Sequence, residues 1–197
     1  MISTTIQSVR FLAAIGAMSM LFGACKKDDA GAAEQGQAQP AVAQGHADEA
    51  QPSLSAESRT RIGEMLAAYE QVRATLSRDE VTAVTDDAAA VQRAATAAAE
   101  QAPTGLRTHL TNMSAAAGRL KDMAKDDADA VRHAFGDLSR ATVALLAAEP
   151  SLQQGHHVFE CPMAQGYKKW VQVSAEVSNP YMGTRMPECG AGSQWRE

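Results

Sequence analysis

From Ile62 to Leu145 the apolar residues recur every three or four positions, in four blocks separated by short connections, and that pattern leaves few folds open. Ile62, Met65, Leu66, Tyr69, Val72 and Leu76 share one face of a helix from about Ser55 to Leu76. Val81, Val84, Ala88, Val91, Ala95 and Ala98 form a second stripe; Ser77 with Glu80 predicts a capping box at its start, and Pro103 and Gly105 predict its stop. The third stripe is Leu106, Leu110, Met113, Ala117, Leu120 and Met123. Asp126 with Asp129 predicts the cap of a fourth helix, carried by Val131, Phe135, Leu138, Thr142 and Leu145 and ending before Pro150. Helices of about twenty residues on short connections pack as antiparallel neighbours. The expected fold is therefore all-α, an antiparallel up-down four-helix bundle over residues 53–150. No strand-like alternation competes with it, and abundant alanine suits closely approaching helices.

Met65, Met113 and Met123 lie on these stripes and read as core filler. His109 and His133 lie beside the stripes and read as boundary residues with local hydrogen bonds. The net charge is -5 and Lys and Arg are scattered, which argues against a nucleic-acid partner, since phosphate binding needs a concentrated basic surface.

After Pro150 the character changes. Residues 151–197 are expected to form an irregular Cys/Met-rich lobe packed on the bundle, with a helical period visible at most over Tyr167 to Val177. The lobe gathers Cys161-Pro162-Met163, Trp170, Asn179-Pro180-Tyr181-Met182-Gly183, and Met186-Pro187-Glu188-Cys189-Gly190. Cys161, Met163, Met182, Met186 and Cys189 offer thiolate and thioether sulfur, with His156 and His157 just upstream. Soft Cu(I) and Ag(I) favour such donors, whereas zinc prefers thiolate with imidazole and calcium or magnesium oxygen. The same two cysteines can instead close a disulfide, worth about 3 kcal/mol through loop closure. Spacing leaves the two readings open. Catalysis is disfavoured: His157 could reach Cys161 across a helical turn, but Glu160 and Glu188 flank the cysteines, and negative charge opposes thiol activation.

Residues 1–24 run from Arg10 through the apolar Phe11 to Phe22 and end in Gly23-Ala24, the pattern of a secretory signal peptide. Leu21-Phe22-Gly23-Ala24 before Cys25 resembles the lipobox of bacterial lipoproteins, which implies lipidation at Cys25 and a lipid anchor in the membrane. Lys26 after it implies the periplasmic face of the outer membrane. Residues 25–52, rich in Ala, Gln, Gly and acid, predict a disordered tether in which His46 is solvated. Cys161 and Cys189 then remain as the thiols of a secreted chain, where disulfides persist.

The order Cys161-Pro162-Met163, Trp170, Asn179-Pro180-Tyr181, Gly183, Met186, Cys189-Gly190, together with Tyr69, Arg132, Phe135, Leu138 and Ser139 upstream, resembles a known family over roughly residues 55–191. That family is the periplasmic helical domain of unknown function found as stand-alone lipoproteins and at the C-terminus of CusB-type copper and silver efflux adaptor proteins. The resemblance implies a metal-responsive sulfur cluster of Cys161, Met163, Met186 and Cys189. It also implies a place in copper handling and a heavy-metal efflux adaptor as partner. Pro187-Glu188 departs from the family pattern. The expected function is thus a non-catalytic envelope lipoprotein binding Cu(I) or Ag(I) for periplasmic copper homeostasis or efflux. The alternative is a disulfide-stapled interaction module that docks on an envelope partner without metal.

Overall fold

The four apolar stripes become four helices: α1 (Ala56–Ser77), α2 (Val84–Gln101), α3 (Thr104–Asp122) and α4 (Ala128–Ala148). A computed structural model describes residues 54–123 and 127–196, all within the unit Asp48–Glu197. The leader, Cys25, the tether with His46, and Asp126 lie outside the described residues. Among the described residues no helix is long and apolar enough to cross a membrane.

Each helix packs on its neighbour in the chain, α1 on α2, α2 on α3 and α3 on α4. The face of α2 is Val84, Ala88, Val91, Ala95 and Ala98, and small side chains at a helix contact let the axes approach. Ile62, Met65, Leu110, Met113 and Leu138 are fully buried, as their spacing predicts. Ser55 caps α1 by accepting from the Ser58 N–H at 3.1 Å, and the Ser58 hydroxyl donates to the Gln101 carbonyl at 2.6 Å, tying the start of α1 to the end of α2.

Two expected helix starts differ, and one expected stop holds. Ser77 does not start the second helix: it is the last residue of α1, its hydroxyl donates to the Ala74 carbonyl, and Glu80 pairs with Arg78 at 2.8 Å. The chain turns instead through Asp79 at φ 60, and α2 starts without a side-chain cap after a short helical turn, Val81–Ala83. Pro103 stops α2 as expected, since α2 ends at Gln101 and Ala102 before the proline is extended; Pro103 and Gly105 also form the start of α3, where a missing N–H costs nothing because the first turn leaves it unpaired anyway. The cap of α4 is Asp127, whose carboxylate accepts from the Asp129 and Ala130 N–H groups at 3.1 and 3.0 Å.

The larger departure from an all-α expectation is a three-stranded antiparallel sheet in the lobe, ordered β2-β1-β3 from β1 (His157–Glu160), β2 (Lys169–Gln172) and β3 (Ala191–Gly192). His157 pairs with Gln172 and Glu160 with Lys169; Phe159 faces Gly192 across the other edge. Strands of four and two residues are too short to show alternation. β2 also buries Trp170, Val171 and Gln172 in succession, so the segment expected as the one helical stretch of the lobe is an extended strand covered on both faces.

β2 lies against α4 and α1. The Val171 N–H donates to the Tyr69 hydroxyl at 3.2 Å, which lies 2.9 Å from the Ser139 hydroxyl, and Ser139 donates in turn to the Lys169 carbonyl at 2.9 Å. Hydroxyls from two helices thus satisfy the open edge of the sheet, which would otherwise be a template for another strand. Burial pushes the pKa of the Tyr69 phenol well up, so it keeps the proton this relay needs. Tyr69→Phe leaves the buried Val171 N–H without its acceptor, and urea unfolding is expected to show a loss of about 1–3 kcal/mol.

Candidate functional site

Aromatic rings carry the packing from the bundle into the lobe. Tyr69 stacks on Phe135 at 5.8 Å, Phe135 meets Tyr181 at 5.4 Å, Tyr181 meets the edge of Trp170 at 6.0 Å, and Trp170 stacks on Phe159 at 5.7 Å. Trp170 is fully buried and its indole N–H donates to Gln172 at 2.8 Å. A Cβ on Gly190 would lie 2.6 Å from the far carbon of that indole, so only glycine lets the backbone after Cys189 close over the ring.

Two turns then bring the cysteines together. Cys161 leaves β1 in a tight turn, its N–H donating to the Lys168 carbonyl at 3.0 Å and its carbonyl accepting from Ala164 at 3.2 Å. The second turn is organised by buried Asn179. Its side-chain oxygen accepts from the Tyr181 and Met182 N–H groups at 2.8 and 3.1 Å, its amide nitrogen donates to the Cys189 carbonyl, and its own N–H reaches Pro187 at 2.9 Å. Arg73 fastens the preceding residue through the Ser178 carbonyl at 2.9 Å. The result is a Cys161 Sγ to Cys189 Sγ separation of 2.6 Å. That is within about half an ångström of a disulfide bond, near 2.05 Å. Cys161 is fully buried and Cys189 partly exposed.

The Met163 backbone lies near the Cys189 sulfur, and the Cys189 N–H donates to the Met186 carbonyl at 3.1 Å, so the backbones of both methionines border the pair. Met163 and Met186 are 57% and 40% exposed, unlike the core methionines Met65 and Met113. Met182 is half-buried and lines a cleft of about 570 Å³ with Met163, Tyr181 and His133. His157 is not brought to the sulfurs. It is exposed on β1, four positions before Cys161, and an extended chain rises ~13 Å over that interval. The helical turn that would have joined them is absent. His156 is half-buried, and its Nδ1 has no hydrogen-bond partner among the described residues.

Hydrogen bonding from Cys161, then burial, raise the Cys189 thiol pKa above its ordinary value. Such a thiol is a poor nucleophile at neutral pH. Among the described residues no three His, Cys, Asp or Glu side chains are grouped to hold a metal ion.

Sequence reasoning did not find the clasp behind this loop. The Thr184 N–H donates to the Asp79 carboxylate at 2.9 Å, and the Thr184 hydroxyl and the Arg132 guanidinium donate to it as well. Arg132 also donates to the Leu76 carbonyl at 3.0 Å and to that of Pro180. The Thr184 hydroxyl, with its N–H and Arg132, holds the Asp79 carboxyl below the usual carboxylate range. A depressed folded-state pKa stabilises fully above the unfolded value, near 3.8, and loses that contribution as pH falls through the folded value. Urea stability is thus expected to fall more steeply below about pH 4 than in Asp79→Asn, which lacks this titration.

Among the described residues, the fold and the site define four helices with a small sheet-bearing lobe that presents a paired-cysteine centre bordered by methionines. Comparison with protein-family models, with curated proteins and with solved structures finds no match.

Proposed function

We propose that this chain is a non-catalytic envelope lipoprotein whose Cys161–Cys189 pair binds Cu(I) or Ag(I) for periplasmic copper homeostasis or efflux. In this reading Cys25 carries the lipid at the periplasmic face of the outer membrane, the tether spans residues 25–52, and the four helices form an antiparallel up-down bundle, as short connections favour. A heavy-metal efflux adaptor is the partner the family resemblance suggests.

One observation carries the proposal. Met163 and Met186 stand exposed in the two turns that carry the juxtaposed cysteine sulfurs, while Met65 and Met113 are fully buried. A methionine at the surface adds little to the core, but a thioether beside two thiols makes a soft donor set. The raised pKa of the Cys189 thiol supports the non-catalytic part.

A second reading is favoured by the 2.6 Å sulfur separation: a disulfide-stapled module that docks on an envelope partner without metal. One experiment separates the two, an anaerobic Cu(I) competition titration of residues 26–197, reduced beforehand, against a chromogenic chelator. One equivalent bound at about nanomolar affinity or tighter, roughly -12 kcal/mol, is the expected result. No binding within the chelator's reach overturns the metal reading and leaves the staple.

A further inference from the structure

The cleft beside the cysteine pair has a composition of its own. Three segments converge on it: the first turns of α4 with His133, the turn from Cys161 to Gly166 with Met163, and the loop from Pro180 to Arg185 with Met182. We infer that this cleft is a second holding site for a soft monovalent cation, through the thioethers of Met163 and Met182 and the imidazole of His133. The inference rests on the soft-metal reading for the identity of the ion, and has its own geometry.

His133 is held against the Cys161–Gly166 turn. Gly166 sits at φ 70, and a Cβ there would lie 3.1 Å from both Cδ2 and Nε2 of His133, so the ring touches the backbone three residues beyond Met163. Met182 is fastened to the same helix. Its N–H is held by Asn179 at 3.1 Å, and Arg132, the residue before His133, grips the Pro180 carbonyl.

The charges around the cleft favour a cation. The Arg132 guanidinium is engaged by the Leu76 and Pro180 carbonyls and the Asp79 carboxylate, which leaves it little capacity for a ligand anion. Of the remaining charged groups on the walls, Asp127 and Asp129 outnumber Arg185. Neutral thioether and imidazole donors suit a soft ion of single charge and hold it less tightly than thiolates do.

Met163 belongs to both places, since its backbone lies near the Cys189 sulfur and the residue also lines the cleft. An ion passing inward exchanges its bonds to Met182 and His133 for bonds to the two cysteine sulfurs. The two thiol protons go to solvent, the imidazole regains its free lone pair, and no electron is transferred.

The test is a silver(I) titration of the double variant Cys161→Ser/Cys189→Ser in residues 26–197, followed by methionine-methyl and histidine-ring NMR. One equivalent should shift the Met163 and Met182 methyls and the His133 ring. Adding Met182→Leu and His133→Gln, which keep shape and remove donors, should weaken binding at least about tenfold, ~1.4 kcal/mol. Wild-type chain oxidised to the disulfide should give the same shifts without loss of a core side chain. If silver leaves Met182 and His133 unshifted in both forms, the inference is overturned, whatever the reduced wild type binds. If those shifts appear but reduced wild type binds no more tightly than the serine variant, the cleft site stands and the cysteine-pair reading falls.

Discussion

Trp170→Ala is expected to lower the stability of the protein by about 3–5 kcal/mol in urea unfolding, the range for a large aromatic removed from a closed core. Trp170 is fully buried, with Phe159 stacked on one side at 5.7 Å and the edge contact to Tyr181 at 6.0 Å on the other. Truncation leaves a void that neither neighbour can fill without breaking its own contacts: Tyr181 is held by its hydroxyl to the Lys169 carbonyl at 2.7 Å, and Phe159 by its strand pairing. The same ring supports Gly190 and therefore Cys189, so the loss should reach the sulfur pair. The check is twofold: the urea midpoint of the variant, and the rate at which its thiols react with a disulfide reagent. A stability change under about 1 kcal/mol would mean that the lobe is not packed as one body with the helices.

The second large effect concerns the ion. Replacing Cys161 and Cys189 together by serine should weaken Cu(I) binding by a factor of about a thousand or more, ~4 kcal/mol, in the anaerobic competition titration. A serine hydroxyl keeps nearly the same shape but is a hard oxygen donor that stays protonated, so the soft ion loses both of its anionic ligands. The pH dependence gives an independent check with a definite sign. Metal binding needs the thiolate, and hydrogen bonding from Cys161 holds the Cys189 thiol above its ordinary pKa. Affinity of the wild type should thus rise with pH, about tenfold per unit for each proton released, up to that raised value. Affinity that is flat with pH, or unchanged in the serine variant, would place the ion elsewhere.

Much of the helical part was legible in the residues. The stripes through Ile62, Leu110 and Phe135 led to helices within a few residues of those observed, because burial of one face repeats every 3.6 residues and leaves a long signal. Helix starts were less legible. Ser77 and Glu80 have the spacing of a capping box, but the chain used Ser77 to finish α1, and local capping energies near 1 kcal/mol yield to the packing of whole helices. The sheet was not legible, since four-residue strands that bury successive side chains carry no period.

The candidate site divides the same way. Cys161, Met163, Met186 and Cys189 stand out by residue type alone, and Asn179-Pro180 marks a turn whose side chain organises the loop. His157 looked equally suitable four residues from Cys161, but the extended conformation of β1 carries it away, whereas His133, read as a boundary residue, arrives at the cleft from α4. Residue chemistry and helical period are local properties, and the chain alone was enough to single out the candidate donors and to predict the four helices. Which donors meet depends on contacts between segments far apart in sequence: Asp79 with Thr184, Arg132 with Pro180, Tyr69 with Val171. Those pairings are fixed by burial and hydrogen bonding across the folded chain, and no spacing within one segment encodes them.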